Sequence, residues 1–190
     1  MQSPRKKTTA SRQRHSADER SATGLQPVKI HRQDADATTS RRHKIKISIG
    51  DQLLTVKRDD ETVRTFPISS SRFGLGTEEG SNKTPLGRFQ ITAKIGHGMP
   101  PGTIFQSRVP LKPEDPLPVT EDLITSRILW LDGLDEDNAN TRERFIYIHG
   151  TKHEDKIGRP DSHGCIRMRN ADVIELFELV DEGTPVVIEE

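Results

Sequence analysis

A single cysteine, Cys165, stands in 190 residues, so no disulfide can form within the chain and the fold must rest on its core alone. Long apolar runs are missing as well. The basic opening is not followed by the ~7–15 apolar residues of a secretory signal, and nothing approaches the ~20 that cross a bilayer. Neither a signal peptide nor a membrane span is therefore expected. Hydrophobic residues make up only 31% of the chain against 31% charged, a balance that leaves part of it with no core to join. The length leaves room for one ordinary domain and a tail, since domains run to about 100–200 residues.

Net charge is also absent, at +0, but this neutrality is a sum of opposites. Residues 1–43 hold ten Lys or Arg against four Asp or Glu, a net of +6, and residues 44–190 the remaining 19 against 25, a net of −6. Filled out with Ser, Thr and Gln, the opening segment cannot bury enough surface to offset the entropy of ordering, and 1–43 is expected to be a disordered basic tail. Its cations would be drawn to an anionic polymer such as nucleic acid or an acidic envelope surface. A solvated tail with no dedicated partner is the simpler expectation, and no nucleic-acid partner is assigned.

What is present from residue 44 onward is β-rich. Lys44-Ile45-Lys46-Ile47-Ser48-Ile49 alternates with period two, and Leu53-Leu54-Thr55-Val56 follows Gly50-Asp51, a pair suited to a two-residue hairpin turn. Further strand-like runs are Thr62 to Ile68, Arg88 to Ile95, Ile128 to Leu131, Phe145 to Ile148 and Pro185 to Glu189. One helix is expected from Asn170, read as its N-cap, with Val173, Ile174, Phe177 and Val180 on one face and Gly183 ending it. These elements fit a mainly β sandwich or barrel with one packed helix. The proline-rich stretch Met99 to Ser126 and the acidic Asp132 to Arg144 are expected to be irregular loops.

The chemistry concentrates near the end. The strand-like run Phe145-Ile146-Tyr147-Ile148 delivers His149-Gly150, and 16 residues after His149 comes Cys165, within Ser162-His163-Gly164-Cys165-Ile166-Arg167-Met168. A thiol is mostly protonated at neutral pH, so a neighbouring imidazole and the N-terminus of the approaching helix are both expected to raise its reactive fraction. Gly164 has no side chain to keep a substrate carbonyl from the backbone, where the N–H groups of Gly164 and Cys165 could stabilise an oxyanion.

Together, His149-Gly150 and Ser162-His163-Gly164-Cys165-Ile166-Arg167-Met168 resemble the active-site signature of the L,D-transpeptidase (YkuD) catalytic domain. Asn82-Lys83-Thr84-Pro85-Leu86-Gly87-Arg88-Phe89 resembles the same family's Thr-Pro-x-Gly-x-Phe segment, so the likeness covers residues 44–190. It implies a mainly β fold and a cysteine acyltransferase acting on peptidoglycan stem peptides. Cys165 would attack the third-residue carbonyl of a donor tetrapeptide and expel D-alanine, leaving a thioester. An amine of a second stem, or of an anchored lipoprotein, would then take the acyl group, with His149 moving the protons. By the same likeness, the Gly150 carbonyl orients His149, while His163, Ser162 and Arg167 shape the pocket and help hold substrate carboxylates. No cofactor is implied, and the periplasm or cell envelope is the expected place of work.

Three rivals share these residues. Water in place of the acceptor amine would make the protein an L,D-carboxypeptidase, and loss of turnover would leave a wall-binding domain. A metal site could draw on His149, His153, His163 and Cys165, although the His-x-Cys pair lacks the spacing of a zinc knuckle.

Overall fold

The computed structural model describes residues 43–120 and 122–190. The segment 1–42, expected to be disordered, lies outside them. His43, assigned to that tail from sequence, instead opens the first strand. Ten strands follow one another as β1 (His43–Ser48), β2 (Leu53–Arg58), β3 (Glu61–Pro67), β4 (Gly87–Ile95), β5 (Ile104–Gln106), β6 (Val109–Pro110), β7 (Ile124–Gly133), β8 (Tyr147–Gly150), β9 (Ile166–Met168) and β10 (Pro185–Glu189), with one helix, α1 (Asn170–Leu179), between the last two.

The pairing order is β3-β2-β1-β10-β4-β7, with β7 then pairing both β5, which leads to β6, and β8, which leads to β9. Two neighbours run parallel, β1 with β10 and β8 with β9, and the other pairs are antiparallel. Beyond β3, Ser69 and Arg167 exchange both backbone hydrogen bonds at 2.9 Å. Because β3 and β9 lie at opposite ends of the path, that bridge joins the sheet to itself as a ring. Strands from all around it, Leu54 and Val56 of β2, Ile91 of β4, Leu129 of β7, Ile148 of β8 and Ile166 of β9, contribute to one buried apolar cluster. Each such side chain stabilises the fold by about 1.5–3 kcal/mol through burial.

The structure departs from the sequence expectations in instructive places. The first hairpin turns through four residues, 49–52, with Gln52 at φ 52° and Ser48 Oγ donating to the Asp51 carboxylate. The proline-rich stretch holds β5, β6 and the start of β7, and the acidic stretch holds the end of β7 and a 3-10 helix at Glu136–Thr141. There Asn138, fully buried, donates to Leu86 O and Arg88 O and ties that turn to the start of β4. Phe145, expected in the strand, has φ 57° and precedes it.

Asn170 is the first helical residue rather than the cap, which is Arg169. Its side chain faces the sheet instead, accepting from Thr125 Oγ1 and Ser126 Oγ and donating to Thr151 O. Leu176 takes the core position expected of Ile174, which is only half-buried.

Candidate active site

His149 lies on β8 and Cys165 immediately precedes β9, the parallel neighbour of β8. The register sets His149 opposite Arg167 and Ile148 opposite Ile166. Side chains alternate along a strand, so Cys165, two residues before Arg167, is on the His149 face and one step along. Tyr147 shares this face, packs in an apolar cluster with Cys165, and donates its backbone N–H to Cys165 Sγ at 3.4 Å. The thiol itself donates to Phe145 O at 3.4 Å. Trp130, Phe145 and Arg108 stack beside it, with Arg108 4.7 Å from the Trp130 ring centre.

His149 is buried, at 1% exposure. Its Nδ1 lies 2.7 Å from Gly150 O. A carbonyl oxygen only accepts, so Nδ1 carries the proton and Nε2 keeps its lone pair. Gly150 has no room for a side chain, since a Cβ there would come within 2.7 Å of both Asn170 Oδ1 and Thr125 O.

The remaining residues of the signature serve the protein itself more than the cavity. Ser162 is fully buried; its Oγ donates to Cys165 O at 2.6 Å and accepts the Gly164 N–H at 3.2 Å. The Gly164 N–H, expected to face an oxyanion, is thereby engaged within the turn. Gly164 is required by its φ of 114° and by the loop before β4, because a Cβ would lie 3.3 Å from Lys83 O and Thr84 Oγ1 donates to Gly164 O. Arg167, expected to reach substrate carboxylates, is 2% exposed and already clasps two of the protein's own, Asp122 at 2.6 Å and Asp161 at 2.8 Å.

His163 Nε2 is 2.9 Å from Arg72 Nη2. A guanidinium only donates, so the proton of a neutral His163 sits on Nδ1, 3.5 Å from Asp122 Oδ2.

Burial governs the electrostatics. It pushes the Cys165 thiol up to about 12, with the Asp122 charge adding to the rise and the Tyr147 N–H, Arg167 and Arg144 opposing it. Burial is the largest of these effects, and the net shift is upward rather than the acidification expected from the sequence. Burial likewise holds the His149 imidazole below its ordinary range, against the pull of Asp122 and the Gly150 carbonyl. Burial alone would raise Asp122, but His149 and Arg167 outweigh it and keep that carboxyl low. The resting pair is therefore a neutral thiol and a neutral imidazole.

Beside this cluster opens a cavity of about 660 Å³ lined by Arg72, Lys152, Lys156, His163 and Arg167 among others. Its cations come from three separate segments, so no local pattern announces them. Asp122, at the end of the proline-rich stretch, gives no sequence signal either. The imidazoles and thiol considered as metal ligands do not converge: among the described residues no three His, Cys, Asp or Glu are grouped to hold an ion.

Comparison with known proteins agrees with this architecture. The model of the L,D-transpeptidase catalytic domain, YkuD, matches residues 42–188, and the chain belongs to that family. It is 30% identical over 146 residues to YkuD of Bacillus subtilis (strain 168), a candidate L,D-transpeptidase, covering 77% of this chain and 65% of the relative. To YqjB of the same strain, named in the same way, it is 31% identical over 116 residues, covering 61% and 57%. The chain thus spans less than two thirds of these relatives' lengths. The fold is shared with an L,D-transpeptidase of Xylanimonas cellulosilytica DSM 15894, at TM-score 0.53 and 20% identity over 80% of this chain and 63% of that one. It is shared also with L,D-transpeptidase 3 of Mycobacterium tuberculosis, solved with a faropenem-derived adduct, at TM-score 0.51 and 21% identity over 78% and 60%.

Proposed function

We propose that this protein is a peptidoglycan L,D-transpeptidase in which Cys165 is the nucleophile and His149 the proton carrier. The observation that carries this reading is the register of β8 and β9, which pairs His149 with Arg167 and so leaves Cys165, just before β9, on the His149 face. The hydrogen bond that fixes Nδ1 of His149 leaves Nε2 as the base.

A thiol held near pKa 12 beside an imidazole of lowered basicity does not rest as an ion pair. The proton leaves Sγ for Nε2 as the sulfur attacks the third-residue carbonyl of the donor stem. The tetrahedral adduct then breaks its C–N bond, His149 returns the proton to the leaving amine of D-alanine, and a thioester remains. An acceptor amine, from a second stem or an anchored lipoprotein, attacks that thioester, gives its proton to His149 and expels the thiolate, which is reprotonated. Neither half-reaction calls for a cofactor.

Stem peptides are rich in carboxylates, and the cavity edged by Arg72, Lys152 and Lys156 complements them. Ser162, His163, Gly164 and Arg167 hold the turn and the wall of that cavity. A substrate of this kind puts the work in the cell envelope.

The reading is tested by intact-mass spectrometry of the protein incubated with a disaccharide tetrapeptide or a carbapenem. Wild type should gain a covalent acyl group from either reagent and release D-alanine from the tetrapeptide, Cys165→Ala should do neither while melting as wild type does, and His149→Ala should acylate far more slowly. Cross-linked product identifies the transferase, trimmed tripeptide the carboxypeptidase. Full activity in Cys165→Ala would overturn the mechanism.

A further inference from the structure

Asp122 is a carboxylate at the site that the transfer chemistry above leaves unused. It belongs to the loop that enters β7, and its side chain is 15% exposed. One oxygen, Oδ2, is 2.6 Å from Arg167 Nη2 and 3.5 Å from His163 Nδ1. The other, Oδ1, is buried with no hydrogen-bond partner. A buried carboxylate oxygen without a donor is costly, so its retention calls for an explanation.

We propose that Asp122 is a positioning residue for the Cys165–His149 pair, its carboxylate stabilising the imidazolium that His149 becomes while it holds the thiol proton. This rests on the transfer mechanism proposed above. Arg167 links the three groups physically. Its backbone is the register partner of His149, its side chain lies two residues beyond Cys165 on the same face, and its guanidinium grips Oδ2.

The charged and titratable groups around Asp122 come from every neighbouring segment. They are His149 on β8, Arg167 on β9, His163 in the turn before it, and Cys165 itself. Arg72 reaches the cluster through His163, and Asp161 and Lys156 through Arg167.

The balance of these charges gives Asp122 two opposed effects. It favours protonated His149, making that imidazole a better acceptor, and it disfavours a free thiolate on Cys165. The pair is thereby kept neutral at rest and helped at the moment of transfer, when positive charge appears on His149. A carboxylate that stabilises a developing imidazolium is a familiar element of nucleophilic catalysis. Here it would come from a loop, with the Gly150 carbonyl fixing the ring.

The test is the NMR titration of the His149 ring in the full chain, with Asp122→Asn compared with wild type. Asparagine preserves the shape and the contact with Arg167 but removes the charge. The titration midpoint should fall by about one pH unit, a tenfold change in proton affinity, and acylation of Cys165 by a carbapenem should slow by about ten- to a hundredfold. A loosened loop would hydrate His149 and move the midpoint the opposite way, so the sign separates a charge effect from structural damage.

Asp161→Asn, which also touches Arg167, should leave the His149 midpoint where it is, and Asp122→Glu should restore most of it. An unmoved or raised midpoint in Asp122→Asn, or an equal fall in Asp161→Asn, would overturn the proposal. A wild-type chain that takes no acyl group would instead overturn the transfer mechanism, whatever the titration gives.

Discussion

Ser69 and Arg167 are joined by two backbone hydrogen bonds of 2.9 Å, the bridge by which the path of strands meets its own end. Ser69 also donates its hydroxyl to Arg159 O at 2.7 Å. The short β9 is thus held from both edges, by β8 and by this bridge. Ser69→Pro removes the N–H that Arg167 O accepts and the hydroxyl together. It should cost about 3 kcal/mol or more in urea unfolding and abolish acylation of Cys165 before the domain as a whole is lost.

Gly150→Ala probes the support of the base. The added Cβ would meet Asn170 Oδ1 and Thr125 O, each at 2.7 Å, so the backbone must shift and take with it the carbonyl that fixes Nδ1 of His149. A loss of about 1–3 kcal/mol in stability is expected from overpacking. Steady-state kinetics should show a fall in kcat with KM little changed, because the ring is displaced while the cation-lined cavity is not.

Cys165 contributes to the alkaline end of the stability profile. Its folded pKa, about 12, lies above the ordinary 9.0, so its contribution is complete below pH 9 and declines as pH rises toward 12. The urea midpoint of wild type should fall more steeply over that window than that of Cys165→Ala. His149 acts at the other end. Its pKa is lowered on folding, so its contribution is present above the ordinary histidine range and is lost as pH falls through the folded value.

Arg72 contacts His163 and lines the cavity. Arg72→Ala should raise KM for a stem peptide with free carboxylates about tenfold at low ionic strength, with a smaller effect once salt screens the charge. An amidated stem should be affected much less. Assaying both substrates at two salt concentrations separates the electrostatic contribution from a change in cavity shape.

Strand content and the signature residues were legible because both are local. Alternation in Lys44–Ile49 and the β-branched runs reveal strands one at a time, and His149, Cys165 and their neighbours sit within 20 residues of one another. What was hidden depends on long-range pairing. Asp122 and Arg72 reach the site from segments roughly 40 and 90 residues before Cys165. Asn138 looks like any loop asparagine until the carbonyls of Leu86 and Arg88 are seen against it. Asn170 obeys the statistics of helix caps, yet its partners on β7 and the Thr151 carbonyl claim its side chain. The thiol was expected to be acidified by sequence neighbours, whereas its burial pushes it up against the opposing Tyr147 N–H.

The place of β10 between β1 and β4 bears on how the molecule is made. Pro185–Glu189 pairs with β1, some 140 residues earlier, and with β4, contacts whose loop-closure cost is met only late in folding. Until those five residues clear the ribosome, the nascent chain exposes two unpaired strand edges, and the ring that shapes the Cys165 site has a gap. β10 follows Cys165 by only 20 residues, so the nucleophile and the strand that closes the ring around it leave the ribosome close together, whereas β1 and β4 wait much longer for their shared partner.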